Sequence, residues 1–523
     1  MKYLISFDTN IVRQELAHNW GVEKVLPSTE VLTSDLSVFS NDTEPVAVFI
    51  PTVFDYSNSL SYQGANLALR ILMCFIRVGR TDIDIVLMGN ESEANFLLHY
   101  DYPNILKIPG FHYARFNQKV VASYKLPVRE NLNSNEYIPY LDNLGLKIPT
   151  SFKSTHSLTN EWCLFKWNSF MGFDGDISVF ENHLYFDYLI TIEKLNQIRN
   201  KHVTDHLKEK IQSIPSTKIL LIDDKEGWHC FFKKMFQKTG VDLYCIGENF
   251  NKLEFSDIEK VIIDKIYNIK PDIIILDFRL MEDKDAEVTN VKDISGYKVL
   301  TKILKGKYNA PLSAFGRQVI IFTATSRIEN ILMLRDGNAD GFILKEKPEN
   351  YNGKEITKSV ISKMISSLET AVTRANFLIP LNDKLGILSE IIIKTNNQDT
   401  DIGTVINMTS QSIRQLTQNN DLNLDILKLS YLTFYSILES LKDNKREDLN
   451  PFIKSKASEI GLNSQTFILW DDICEIRNCI AHGTAVIDKG KNKGRDLSAK
   501  LLFDWSLRLG QFIIEFLKLY LKY

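Results

Sequence analysis

The chain has 523 residues, a formal net charge of −3 and a pI near 6.4. That length exceeds what a single hydrophobic core organises and fits about three or four domains. With 44% hydrophobic and 24% charged residues, the composition is that of an ordinary globular protein. The balanced charge excludes a global basic field, so any nucleic-acid contact must come from a local patch.

The six cysteines, Cys74, Cys163, Cys230, Cys245, Cys474 and Cys479, contain no C-x-x-C pair, and several lie inside apolar runs. This implies reduced thiols in a cytoplasmic protein rather than a disulfide framework or a zinc site. The chain opens on a strand-like run, Lys2 to Asp8, without a signal-peptide layout. No stretch is long enough to span a bilayer, and the most apolar one, Phe512 to Leu521, is interrupted by Glu515 and Lys518. No membrane association is expected.

Residues 1–120 alternate apolar strands with helical patterns: Val46 to Ile50, then Ala65 to Arg77, then Ile83 to Met88. Residues 121–215 read as an irregular segment up to about Phe180, followed by a connecting helix from about Tyr185 to Ile211. Within the irregular part, His156 opens a helical start with Thr159 or Asn160 as caps. Ile214-Pro215-Ser216 marks a boundary, because proline disfavours helix just ahead of it. Strand–helix alternation returns over residues 216–375. Asn376 to Pro380 is a weaker boundary, and residues 381–523 show only helical periodicity. The expected fold class is multidomain α/β plus all-α, with parallel sheets followed by a helical bundle.

Four short apolar strands in the third region each end on a polar group. Ile219 to Ile222 runs into Asp223-Asp224, Ile273 to Leu276 into Asp277, Val319 to Phe322 into Thr323, and Gly341 to Leu344 into Lys345. Open α/β sheets place their sites at such carboxyl ends. In order and spacing these residues resemble the receiver domain of two-component response regulators, a flavodoxin-like, doubly wound fold. The resemblance implies that Asp223, Asp224 and Asp277 bind Mg²⁺ together with the backbone carbonyl of Arg279. It further implies that Asp277 is the phosphoacceptor, that Thr323 and Lys345 contact the phosphoryl group, and that Phe342 changes rotamer with it. The residue types suit the chemistry: clustered carboxylates repel unless a hard cation lies among them. With that charge neutralised, a carboxylate can attack phosphorus in line while a lysine steadies the transferred oxygens.

Two features depart from the family pattern. Glu346 and Lys347 intervene between Lys345 and Pro348, where receivers often have the proline directly after the lysine. The loop from Met281 to Gly296 is also long and acidic at its start. Without the resemblance, a generic doubly wound domain with acidic strand ends fits the same residues, as does a receiver fold that never takes phosphate.

The first 120 residues echo this pattern as a degenerate receiver-like domain. Lys2 to Asp8 parallels Lys218 to Asp224, Gly64 to Leu72 parallels Gly296 to Leu304, and Ile83 to Met88 parallels Val319 to Phe322. Pro51 stands where the phosphoacceptor would be. A rival likeness of Asp8-Thr9-Asn10 to the opening of PIN-domain nucleases lacks the later carboxylates that those enzymes need.

In the C-terminal region, Leu427, Tyr431, Phe434, Leu438 and Leu441 recur at helical spacing. Further helices are expected over Leu385 to Asn396, Gln465 to His482 and Leu497 to the terminus, making a bundle of four or more. On the Gln465–His482 helix, Ile473, Ile476 and Ile480 share one face, and Glu475, Asn478 and His482 share the opposite one. Arg477 sits at the edge of the apolar face. Arg477-Asn478-Cys-Ile-Ala-His482 resembles the motif of the HEPN domain. Active members pair two protomers and cut RNA without metal, histidine moving a proton and arginine steadying phosphate charge. A helix end capped by Gly483 with a solvated histidine fits the same stripe. Taken together, the resemblances imply a sensor histidine kinase or phosphotransfer protein as partner, RNA as substrate of a metal-independent ribonuclease, and a homodimer. No basic recognition helix for DNA is present.

Overall fold

Apolar runs form the central strands of two five-stranded sheets, as expected for parallel strands buried on both faces. The computed structural model describes residues 1–6, 18–27, 45–54, 62–126, 133–147, 155–173, 183–197, 203–281, 284–285, 288, 290–304, 316–324, 328–346, 354–397, 400–418, 423–442, 448–484, 487 and 495–522. The chain divides into two compact units, one of residues 1–206 with 347–358 and one of residues 207–346 with 359–523. Asp8, Thr9 and Asn10 lie outside the described residues, as do Lys347 and Pro348.

In the first unit, β1 (Lys2–Ser6), β2 (Lys24–Pro27), β3 (Val46–Pro51), β4 (Ile83–Gly89) and β5 (Phe111–Arg115) are all parallel, in the order β2-β1-β3-β4-β5. Helix α1 (Gln63–Arg77) buries Leu67, Ile71, Leu72 and Phe75 against the sheet. The segment expected to be irregular carries a 17-residue helix, α2 (Thr155–Met171). Thr159 and Asn160 lie buried in its body rather than capping it. Within the stretch expected to be a connecting helix, helix is found over α3 (Leu184–Gln197) and α4 (Val203–Gln212), and residues 198–202 lie outside the described ones. Charge pairs fix these helices: Arg70 and Arg77 of α1 both reach Asp187 of α3, and buried Lys166 of α2 meets Glu193 of α3 at 2.7 Å. A buried pair of this kind selects one helix register, since breaking it would strand a charge.

In the second unit, β6 (Thr217–Ile222), β7 (Val241–Ile246), β8 (Ile273–Asp277), β9 (Gln318–Thr323) and β10 (Gly341–Leu344) form a parallel sheet in the order β10-β9-β8-β6-β7. Taken in chain order, both sheets therefore run second, first, third, fourth, fifth. Their backbones also agree in detail. The N–H of Gly64 donates to the Thr52 carbonyl at 3.1 Å, and that of Gly296 to the Phe278 carbonyl at 3.2 Å. A Cβ on Gly64 would run into the Pro51 carbonyl, and one on Gly296 into the Asp277 carbonyl. Phe116 donates to the Gly89 carbonyl just as Lys345 donates to that of Thr323. Pro51, Gly89 and Phe116 thus occupy the positions of Asp277, Thr323 and Lys345.

Helices α5 (Glu226–Phe236), α6 (Phe255–Ile269) and α7 (Ile328–Asp336) accompany the second sheet. The 41-residue α8 (Lys354–Lys394) then runs straight through the segment 376–380 expected to be a boundary, with Pro380 inside it. An interior proline removes one helical hydrogen bond. Burial of Phe377, Leu378, Leu381, Leu385 and Leu388 around it holds the helix together. The lead-in to β9 packs on the same helix: at Gly316, with φ of +99°, a Cβ would lie 2.5 Å from the Leu378 carbonyl carbon. Five further helices complete the bundle: α9 (Asp401–Gln418), α10 (Leu424–Glu439), α11 (Leu449–Glu459), α12 (Ser464–His482) and α13 (Ala499–Tyr520). Its core stacks Trp470 between Tyr435 and Phe512. Among the described residues, no helix is long and apolar enough to cross a membrane.

The glycine contacts give a direct test. Gly296→Ala should lower unfolding stability by about 2–4 kcal/mol, because the backbone itself must shift. Gly386→Ala on α8, where nothing lies within 4 Å of the added carbon, should raise stability by about 0.5–1 kcal/mol. Urea midpoints of the two variants should move in opposite directions.

Candidate functional site

The carboxyl ends of β6, β8, β9 and β10 converge, so residues far apart in sequence meet. Asp223, Asp277 and Thr323 are fully buried and Asp224 nearly so. One oxygen from each of Asp223, Asp224 and Asp277 lies within 4.8 Å of the others. The Lys345 ammonium, also fully buried, stands 2.9 Å from Asp277 Oδ1 and 3.4 Å from Asp223 Oδ2. It rests over the rings of Phe322 at 4.2 Å and Trp228 at 5.2 Å, a platform that holds a cation by its ring faces.

Three carboxylates against one ammonium leave two formal negative charges in a buried pocket. Burial pushes the Asp223 carboxyl up to about 7; Lys345 opposes that rise and Asp277 adds to it. Burial alone would discharge Lys345, yet Asp223 and Asp277 hold its pKa above the ordinary lysine value. The donor set is all oxygen, closely spaced and short of positive charge, which is the chemistry that fits a hard divalent cation.

Two backbone donors and one side-chain amide orient the acids. Lys225 N–H donates to Asp223 Oδ1 at 2.9 Å, Arg279 N–H to Asp277 Oδ2 at 3.1 Å, and Asn251 Nδ2 to Asp224 Oδ2 at 2.9 Å. The Arg279 guanidinium turns away to the Asp285 carbonyl at 2.7 Å. Phe342 lies half-buried on β10, and Glu346, one residue beyond Lys345, is buried.

Two supports of this site have no motif in the sequence. The first is His229 on α5, whose ring is fully buried. Its Nε2 lies 2.8 Å from the Asp223 carbonyl and its Nδ1 3.1 Å from Glu248 Oε1. A carbonyl only accepts, so Nε2–H is the donor. The adjoining Gly247 has φ of +130°, and a Cβ there would collide with the same carbonyl. The end of β7 is thereby clasped to the acidic turn. The second is Asp285, within the long acidic loop. It is buried and accepts from Ser295 N–H at 3.0 Å, from the Ser295 hydroxyl and from Met281 N–H at 3.3 Å. Burial raises its pKa despite these bonds. The loop after Asp277 is pinned by its own acid to the residue preceding Gly296.

On α12, Arg477 is half-buried while Asn478 and His482 are exposed. Arg477 Nη1 donates to Asn478 Oδ1 at 3.2 Å, Nη2 lies 3.7 Å from Glu439 Oε1, and the guanidinium covers the Tyr435 ring at 5.7 Å. None of these contacts is with His482, which ends the helix before Gly483 in the left-handed conformation, φ +67°. A single chain brings Arg477 and Asn478 together but does not join His482 to them.

In comparisons with known proteins, no family model matches the chain, and neither a curated protein nor a solved structure does.

The raised Asp223 carboxyl sets a pH signature. Its folded pKa, about 7, exceeds the ordinary 3.8, so the folded state holds an extra proton between those values. Its contribution to stability is full below about pH 4, declines as pH rises through about 7, and is flat above. Asp223→Asn should therefore gain stability over wild type at pH 8 relative to pH 5, on the order of a few kcal/mol. Urea unfolding in metal-free buffer at the two pH values checks this; an equal difference at both would contradict it.

Proposed function

We propose that the chain is a response regulator whose second sheet is a flavodoxin-like receiver, phosphorylated on Asp277. The observation that carries the reading is the Asp223–Asp224–Asp277 cluster with Lys345 at 2.9 Å from Asp277. It lies at the carboxyl edge of a parallel sheet of order second, first, third, fourth, fifth. That edge is where doubly wound sheets of this order carry their ligands.

Asp223, Asp224, Asp277 and the Arg279 carbonyl would hold Mg²⁺, which when bound supplies the positive charge that lets an anionic phosphodonor approach. The Asp277 carboxylate then attacks phosphorus in line, and the bond from phosphorus to the donor, a phosphohistidine of a sensor kinase or phosphotransfer protein, breaks. Lys345, already on Asp277, pairs with a phosphoryl oxygen, and the Thr323 hydroxyl donates to another. Phe342 on β10 and the continuous α8 connect this change to the helical bundle.

The bundle in this reading is a HEPN-like effector. A homodimer would bring two copies of Arg477, Asn478 and His482 together, His482 transferring a proton at the RNA 2′-hydroxyl and Arg477 bracing phosphate charge. The exposure of Asn478 and His482 suits a site completed by a second chain. The first unit would act as a pseudo-receiver, since Pro51, Gly89 and Phe116 offer no phosphoacceptor chemistry. A second reading, a phosphorylation-dependent interaction module with an inert bundle, draws on the pairing of Arg477 with Glu439 and Tyr435.

A small phosphodonor with Mg²⁺ should give a base-labile adduct of about 80 Da, absent from Asp277→Ala and from metal-free reactions. Intact-mass measurement reads it; no adduct under any donor would remove the receiver reading. Separately, the phosphorylated or unphosphorylated wild type should degrade RNA in chelator. His482→Ala and Arg477→Ala should lower the rate by at least about 100-fold. RNA left intact by both forms of wild type would select the inert-bundle reading.

A further inference from the structure

An open groove of about 580 Å³ lies between the edge strand β10 and α8, away from the acidic cluster. Its origin is legible in the pattern of α8. The helix seals its inner face with Ile361, Met364, Ile365, Leu368 and Val372. The adjoining flank, turned to β10, instead carries Ser362, Ser366, Ser367 and Thr370. Positions separated by four residues form one stripe along a helix. These short side chains cannot bridge to the strand, so the helix stands off from the sheet edge and leaves a polar-walled groove.

The lining is chemically divided. On one side, the hydroxyls of Ser362, Ser366 and Ser367 make no hydrogen bond with any described residue, and Lys363 beside them makes no ion pair among the described residues. Arg374 closes the inner end, its Nε held by Gln318 Oε1 at 2.9 Å. On the other side lie Ile320 and Phe342. A carboxylate, Asp340, also borders the cavity, and one of its oxygens already accepts Val319 N–H at 2.7 Å. Hydroxyl donors with lysine and arginine suit a phosphate, whereas an aromatic face beside an aliphatic one suits a flat ring. The groove is open to solvent along one side, and its volume is far larger than a phosphate ion requires.

We propose that this groove binds a nucleotide, with the phosphate on Lys363, Arg374 and the serine hydroxyls and the base against Phe342 and Ile320. The groove's existence does not rest on the phosphorylation reading, although Phe342 belongs to both. Because Lys345 follows directly on β10 and α8 enters the bundle, a nucleotide here would touch both elements that join the acidic cluster to the helices.

The test uses the full chain with EDTA present, so that no metal–nucleotide complex forms at the carboxylates. Isothermal titration with AMP, GMP, CMP and UMP, and with adenosine and inorganic phosphate alone, should show at least one monophosphate binding once per chain. Adenosine and phosphate should each bind at least tenfold more weakly. Lys363→Glu, at an exposed position, and Ser366→Phe, which fills the groove, should each weaken binding at least tenfold. Circular dichroism of the variants establishes that they fold. The proposal is overturned if no monophosphate binds at millimolar concentration, if phosphate alone binds as tightly, or if both groove variants bind like wild type.

Discussion

The Lys345 ammonium, shut away from water between two carboxylates, constrains everything around it. Its countercharges sit just past β6 and at the end of β8, while it is itself carried just past β10. The charge is thus compensated only when three strands keep register. A slip of one residue would turn the lysine to the opposite face of the sheet and leave the acids uncompensated. The tight contacts beneath it serve the same end. Gly296 lies against the Asp277 carbonyl, Gly247 against that of Asp223, and His229 holds the latter from the side. A site that is electrostatically costly by itself is thereby over-determined by backbone geometry.

The first sheet is the same construction with that cost removed. At its carboxyl edge, the Tyr113 hydroxyl fills the space a side chain on Gly89 would need, and both Tyr62 and Tyr113 donate to Glu91. Burial and then Glu91 push the Tyr62 hydroxyl up to about 12, and burial does the same to Tyr113. Both phenols stay neutral and serve as packing with a polar tip. One strand order accommodates either a charged pocket or an aromatic plug, which is why topology alone says little about chemistry.

Much of this was readable from the residues. Parallel strands buried on both faces read as near-continuous apolar runs, so β3, β6, β8 and β9 stand out, and the polar groups ending β6, β8 and β9 mark the cluster. The supports of the cluster do not stand out. His229 and Glu248 come from different elements, and Asp285 and Ser295 from the two ends of one loop, with no spacing rule linking either pair. Helix α2 escapes for a different reason: Trp162, Lys166 and Trp167 are buried on several of its sides, Lys166 by pairing with Glu193. A helix enclosed in that way shows no single apolar stripe. The proline at 380 suggests a break because its local cost is visible, whereas the burial of Phe377, Leu381 and Leu385 that offsets it is a property of the folded bundle.

Helix α8 can also be considered as a mechanical part. Gly316 bears on it at Leu378 and Ile379, immediately before the turn in which Pro380 lacks its hydrogen bond. A pressure point and a soft turn coincide, which is the layout of a fulcrum. The arm beyond it, Leu381 to Lys394, spans about 20 Å at 1.5 Å per residue. A tilt of roughly 10° about that point would carry its tip about 4 Å, which is comparable to the shift of one helix past another by most of a turn. Leu381, Leu385, Leu388 and Ile392 of that arm lie in the core of the bundle, so such a tilt would pass directly into its packing.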